Sequence, residues 1–95
     1  MLVQNEVLNK TIKIQSEEIN EDSAGRHLRI DFNEEFRNYI SSLGTSGEFA
    51  IMGSIVNTFI DALDVDDVFI TAGGDILETG HCTYDEPLIK YPEKI

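Results

Sequence analysis

The hydrophobic period of this chain changes twice, and that switch limits it to one class of architecture. From Thr11 the residues alternate, with Ile12 and Ile14 set among Thr11, Lys13 and Gln15, the period-2 signature of a half-buried strand running to about Ile19. Asn20 to Gly25 (NEDSAG) gathers turn formers. His27 to Phe32 then alternates again, with Leu28, Ile30 and Phe32 on one face and Arg29 and Asp31 on the other. Two alternating runs across a short polar loop predict an antiparallel hairpin.

After Phe32 the period becomes helical. Asn33 is placed to cap, Glu34 and Glu35 suit the positive end of a helix dipole, and Phe36, Tyr39, Ile40 and Leu43 follow helical spacing up to Gly44. Thr45 and Glu48 have capping-box spacing for a second helix through about Leu63. Its apolar face is Phe49, Met52, Val56, Phe59, Ile60 and Leu63, widened by Ile51 and Ile55. Burial of these side chains at ~1.5–3 kcal/mol each makes this helix the main contributor to a core. Asp64 to Asp67 breaks it, and Val68, Ile70 and Ala72 alternate as a third strand. Gly73 and Gly74 supply a tight turn, and Ile76 to Thr79 returns as a fourth strand. Segregated runs of strands and helices predict an α+β domain: a roughly four-stranded, largely antiparallel sheet with two helices packed on one face. At the start, Leu2, Val3, Val7 and Leu8 suit a short helical turn or the tail of a larger element. The stretch from Gly80, with two prolines, reads as loop with one edge segment.

Composition narrows the function classes. With 95 residues and 41% hydrophobic content the chain fills one core without disulfides. Seven Lys+Arg against 18 Asp+Glu give a net charge of −11, which repels phosphate backbones and anionic lipid and excludes nucleic acid as a partner. The single cysteine, Cys82, allows neither an internal disulfide nor a four-thiolate zinc site. No apolar run reaches the roughly 18 residues that would insert into a membrane. Met1 to Lys10 has neither the positive start nor the apolar block of a signal peptide.

No motif assembles chemistry. A calcium loop begun at Asp64 would place Val68 at its fifth position and Phe69 where glycine is needed, so Asp64, Asp66 and Asp67 read as a solvated connection and no metal site is expected. His81 and Cys82 are adjacent, and adjacent residues in extended chain point to opposite faces, which denies them the contact of nucleophile and base. Gly73-Gly74 precedes no helix carrying a Lys-Ser/Thr motif and is no phosphate cradle. Glu34 and Glu35 diverge by about 100° around a helix and do not form a carboxylate pair. The expectation is a non-enzymatic binding or assembly module with no catalytic residue and no cofactor. Its expected contact elements are the strand side chains Leu28, Ile30 and Phe32 and the hairpin residues Gly73, Gly74, Asp75 and Glu78. Two alternatives stand beside it. One is a small acidic ligand-binding or enzymatic domain using His81, Asp85 and Glu86; the other is an acidic mimic that blocks a basic protein.

The ordered features resemble the GerMN domain, the sporulation and spore-germination module of Gram-positive surface lipoproteins. Ile30-Asp31-Phe32-Asn33-Glu34-Glu35-Phe36 is similar to that family's strand-to-helix junction. Gly47-Glu48 leading into Ile55-Val56-Asn57-Thr58-Phe59 is similar to its helix. Val65-Asp66-Asp67-Val68-Phe69-Ile70 with Gly73-Gly74-Asp75 is similar to its hairpin, followed by Thr79-Gly80-His81 and Pro87-Leu88. Asn9-Lys10-Thr11 lies where the family often has Pro-x-Gly-Thr. The resemblance implies a single domain over residues 1–95 that lacks the family's usual first strand and helical segment. It also implies an extracytoplasmic setting at the cell surface, often with a lipid tether, and a role in envelope or sporulation-linked assembly. A missing strand would leave an open sheet edge, so the expected partner is a protein or a second copy of the chain, with cell-wall material as a further candidate.

Overall fold

In the computed structural model, which describes residues 12–92, the two alternating runs become β1 (Ile14–Asp22) and β2 (Gly25–Phe32). The helical stretch becomes α1 (Glu34–Ser41) and α2 (Gly44–Leu63), and β3 (Asp67–Ala72), β4 (Asp75–Glu78) and β5 (Thr83–Tyr84) complete the order. The architecture is the expected α+β arrangement, with five strands in one open sheet ordered β1-β2-β3-β4-β5. The fifth strand is the edge segment of the tail. Met1 to Asn9, read as a helical turn or part of a larger element, lies outside the described residues.

The core lies between the helices and one sheet face. Leu28, Ile30 and Phe32 of β2, with Val68, Ile70 and Ala72 of β3, alternate inward against Phe36 and Ile40 of α1 and Met52, Ile55 and Val56 of α2. The stacked rings of Phe32 and Phe36, 4.1 Å between centroids, lock the β2–α1 junction. The longer helix buries a narrower stripe than its periodicity predicts. Phe49 is 46% exposed, while Phe59, Ile60 and Leu63 pack at the core margin.

Three details depart from the sequence reading. The first turn is tighter, because Asp22 pairs with Gly25 across only Ser23 and Ala24. The pairing of β2 with β3 is parallel, from His27↔Asp67 to Phe32↔Ala72. Two helices between them carry the chain back to the starting end of the sheet, the connection that parallel neighbours require. The capping box does not form: α2 starts at Gly44 without a side-chain cap, and Glu48 turns into the core.

The far end of α2 is finished by a residue from another element. Its last turn carries no basic side chain, and Arg26 of β2 supplies one, donating from Nε to the Asp64 carbonyl at 2.8 Å and from Nη2 to the Leu63 carbonyl at 2.9 Å. Beyond β5 the tail crosses back. Leu88 exchanges two backbone hydrogen bonds with Val68, and Tyr91 docks on α2 beside Gly53 and Asn57. No helix among the described residues is long and apolar enough to cross a membrane.

Candidate functional site

The sheet ends on one side in β1, whose nine residues are all exposed. The inner edge of this strand is paired along β2, and among the described residues no strand lies beyond its outer edge. The helix layer covers β2 and β3 but stops short of β1, so both faces of the edge strand meet water. Glu17, Ile19 and Glu21 lie opposite Ile30, Leu28 and Arg26 and share the helix side of the sheet. Ser16, Glu18, Asn20 and Asp22 lie opposite Asp31, Arg29, His27 and Gly25 on the bare side. Ile14 and Ile19 are 47% and 39% exposed. Glu17 and Glu18 form no ion pair among the described residues, whereas Glu21 lies 3.7 Å from Arg26 and Asp22 pairs with His27.

His27 pins the end of this strand. Its Nε2 lies 2.9 Å from Asp22 Oδ1 on β1, and its Nδ1 lies 3.0 Å from the Asp67 carboxylate on β3. Both ring nitrogens face acceptors, and only the imidazolium has two N–H donors. The hydrogen bond to Asp22, then that to Asp67, raises the His27 pKa above its ordinary value, and the same bond from His27 lowers that of Asp22. At the other end Asp31 acts as a knot. It accepts from Thr71 Oγ1 at 2.7 Å, the Gly74 N–H at 2.9 Å and Gln15 Nε2 at 2.8 Å, which joins β1, β2 and the β3–β4 turn. Partial burial pushes its carboxyl upward, but these donors and the nearby Arg37 outweigh that and hold it below the ordinary aspartate value.

A second polar cluster joins α2 to the tail. Glu48 is 2% exposed and accepts from Thr79 Oγ1 at 3.0 Å, from the Tyr84 hydroxyl and from His81 Nδ1 at 3.1 Å. Burial, reinforced by the Glu48 charge, pushes the Tyr84 phenol far above its usual range. A pocket of about 240 Å³ opens beside the cluster, lined by Thr45, Glu48, Phe49, His81, Cys82, Tyr84 and Tyr91. Both carboxylate oxygens of Glu48 accept hydrogen bonds, and the arrangement fastens the tail to the helix.

The contact residues expected from sequence divide into two groups. Gly73, Gly74, Asp75 and Glu78 are exposed on the β3–β4 hairpin. Leu28, Ile30 and Phe32 are 0–1% exposed beneath the helices, which corrects their reading as a contact surface: alternation turns these side chains into the core. The strand that faces outward is β1, and its signal was the run Glu17 to Asp22, where acids surround a lone Ile19. His81, Asp85 and Glu86 do not converge. His81 is bonded to Glu48, while Asp85 and Glu86 are exposed and joined to it by no hydrogen bond or ion pair. Asp66 accepts from the Arg26 N–H and Asp67 from His27, and no group of three or more His, Cys, Asp or Glu among the described residues is set to hold a metal ion. Sequence reasoning missed the Glu48 cluster, although a carboxylate four residues before Met52 on an apolar stripe was the available sign.

No curated protein and no solved structure is significantly similar to the chain. A sequence model of one family, Germane, described as sporulation and spore germination, matches residues 2–78. That span takes in β1 through β4, including the Asp31 knot and the Phe32–Phe36 stack, and it ends before the tail residues that hold Glu48. The chain therefore belongs to the Germane family, the sporulation and spore germination domain also called GerMN.

Proposed function

We propose that this domain is a non-enzymatic, extracytoplasmic interaction module that holds a partner protein at the cell envelope during sporulation or germination, through the outer edge of β1. The observation that carries the reading is that nine-residue edge strand, exposed along its whole length with no strand beyond it among the described residues. Such an edge offers a row of backbone donors and acceptors to an added strand. Family membership supports the setting, and the engagement of His81 by Glu48, away from Asp85 and Glu86, supports binding over catalysis.

Two measurements in intact producing cells test it. Cys82 is the chain's one cysteine and is exposed, so a membrane-impermeant maleimide labels it from outside if the domain is extracytoplasmic. A photo-crosslinking amino acid at Ile19 is expected to yield a protein adduct that the same group at exposed Ser54 on α2 does not. Labelling only after lysis, or equal adducts at both positions, would overturn the proposal.

A further inference from the structure

We infer that the strand received by β1 is basic, with side chains in the order basic-basic-apolar-polar-basic-basic if it runs parallel to β1 and basic-basic-polar-apolar-basic-basic if antiparallel. This rests on the interaction reading above and names the partner's chemistry. Residues directly opposite on neighbouring strands share a face and touch, so unlike charges there stabilise and like charges destabilise. The outer residues read Glu17-Glu18-Ile19-Asn20-Glu21-Asp22: acid, acid, apolar, polar, acid, acid. On the helix side an incoming strand meets Glu17, Ile19 and Glu21; on the bare side it meets Glu18, Asn20 and Asp22. Arg26 and His27 partly neutralise Glu21 and Asp22 from within, whereas Glu17 and Glu18 form no ion pair among the described residues, Arg29 lying opposite Glu18 but beyond ion-pair distance. The unanswered charge is therefore concentrated at the Glu17 end.

A second copy of this chain does not fit that edge. Antiparallel self-pairing over the six residues sets Glu17 against Asp22 and Glu18 against Glu21, every acid opposed by an acid. A net charge of −11 on each copy adds repulsion before contact. The same acids guard the edge against indiscriminate pairing, a role natural edge strands commonly assign to charge. A guarded edge and a selective one differ in what a matched strand does.

The test adds capped peptides containing Lys-Lys-Val-Thr-Lys-Lys or Lys-Lys-Thr-Val-Lys-Lys to the whole chain and follows amide exchange in β1 together with fluorescence anisotropy. One of the two orders is expected to bind and to slow exchange at the β1 amides, which also reports strand direction. Glu17→Lys with Glu18→Lys, both at exposed positions, is expected to weaken that binding by about tenfold. A peptide with proline in place of its valine keeps every charge and is expected to lose β1 protection, since proline lacks the N–H donor. Equal binding of the proline peptide would mean charge attraction without strand addition and would overturn the inference. So would equal binding of a peptide with Glu in place of Lys, or assembly of the chain with itself through β1. Crosslinks at Ile19 report any partner, so their persistence beside a negative peptide result rejects the basic code and leaves the edge reading standing.

Discussion

A carboxylate oxygen of Asp66 lies 2.2 Å from where a β-carbon on Gly25 would sit, and the same oxygen accepts the Arg26 N–H at 2.9 Å. Gly25 also has φ +136°, a conformation that side-chain-bearing residues rarely adopt. Gly25→Ala is expected to cost about 2–4 kcal/mol by urea denaturation, from backbone strain together with displacement of Asp66. Asp66→Ala in the same background should recover only part of the loss, because it clears the space without relieving φ.

Replacing Glu48 by leucine removes the acceptor of the buried Tyr84 and Thr79 hydroxyls and should destabilise the fold by about 3 kcal/mol. Tyr84→Phe should cost about 1–2 kcal/mol. The double variant should lose less than the sum of the two, since the hydroxyl left unpaired by the first change is absent. Denaturant midpoints of the three proteins check this.

The His27 contacts give β1 a pH dependence. Because the folded pKa of His27 lies above the ordinary 6.5, its contribution is complete below about pH 6.5 and is lost as pH rises through the folded value. The Asp22 carboxyl, held below 3.8, contributes above that value and loses its contribution as pH falls through the folded pKa. Asp67 and Arg29 are the other charged groups around His27 in the same surface cleft. An NMR titration should find the His27 midpoint above 6.5, and exchange at the Asn20–Asp22 amides, corrected for intrinsic rates, should rise through that midpoint. In His27→Gln that step should vanish.

Asn57 holds the tail through two hydrogen bonds to Tyr91, accepting its N–H at 2.8 Å and donating to its carbonyl at 3.2 Å. Asn57→Ala should cost about 1–2 kcal/mol. It should also expose the Lys90–Tyr91 bond to a lysine-specific protease at a rate well above wild type. Gly53→Ala should act in the same direction, because the new β-carbon would sit 3.0 Å from the Tyr91 ring.

The readable parts of this molecule are those fixed by local period. Phe36 and Ile40 on α1, and Met52, Ile55 and Val56 on α2, were recognisable as core from spacing alone, and the alternation of Val68, Ile70 and Ala72 located β3. The parallel pairing of β2 with β3 was not legible, since nothing within either strand states which neighbour it takes. Glu48 was misread for a related reason: its spacing from Thr45 is a local signal, but its partners Thr79, His81 and Tyr84 lie more than thirty residues away. Of the contact residues expected, Leu28, Ile30 and Phe32 belong to β2, where burial depends on helices supplied from elsewhere in the chain, whereas Gly73, Gly74, Asp75 and Glu78 are exposed on the β3–β4 hairpin.

The register of β2 with β3 carries a kinetic consequence. Every pair from His27↔Asp67 to Phe32↔Ala72 joins residues forty apart, so the first contact closes the whole helical excursion and the others follow with no further loop to close. The β1–β2 ladder, by contrast, zips from a turn of two residues. Hairpins of that kind form in microseconds, whereas seams between distant segments set the slower pace of folding. The β1–β2 hairpin thus forms well before the β2–β3 seam, and its permanence depends on that slower seam closing.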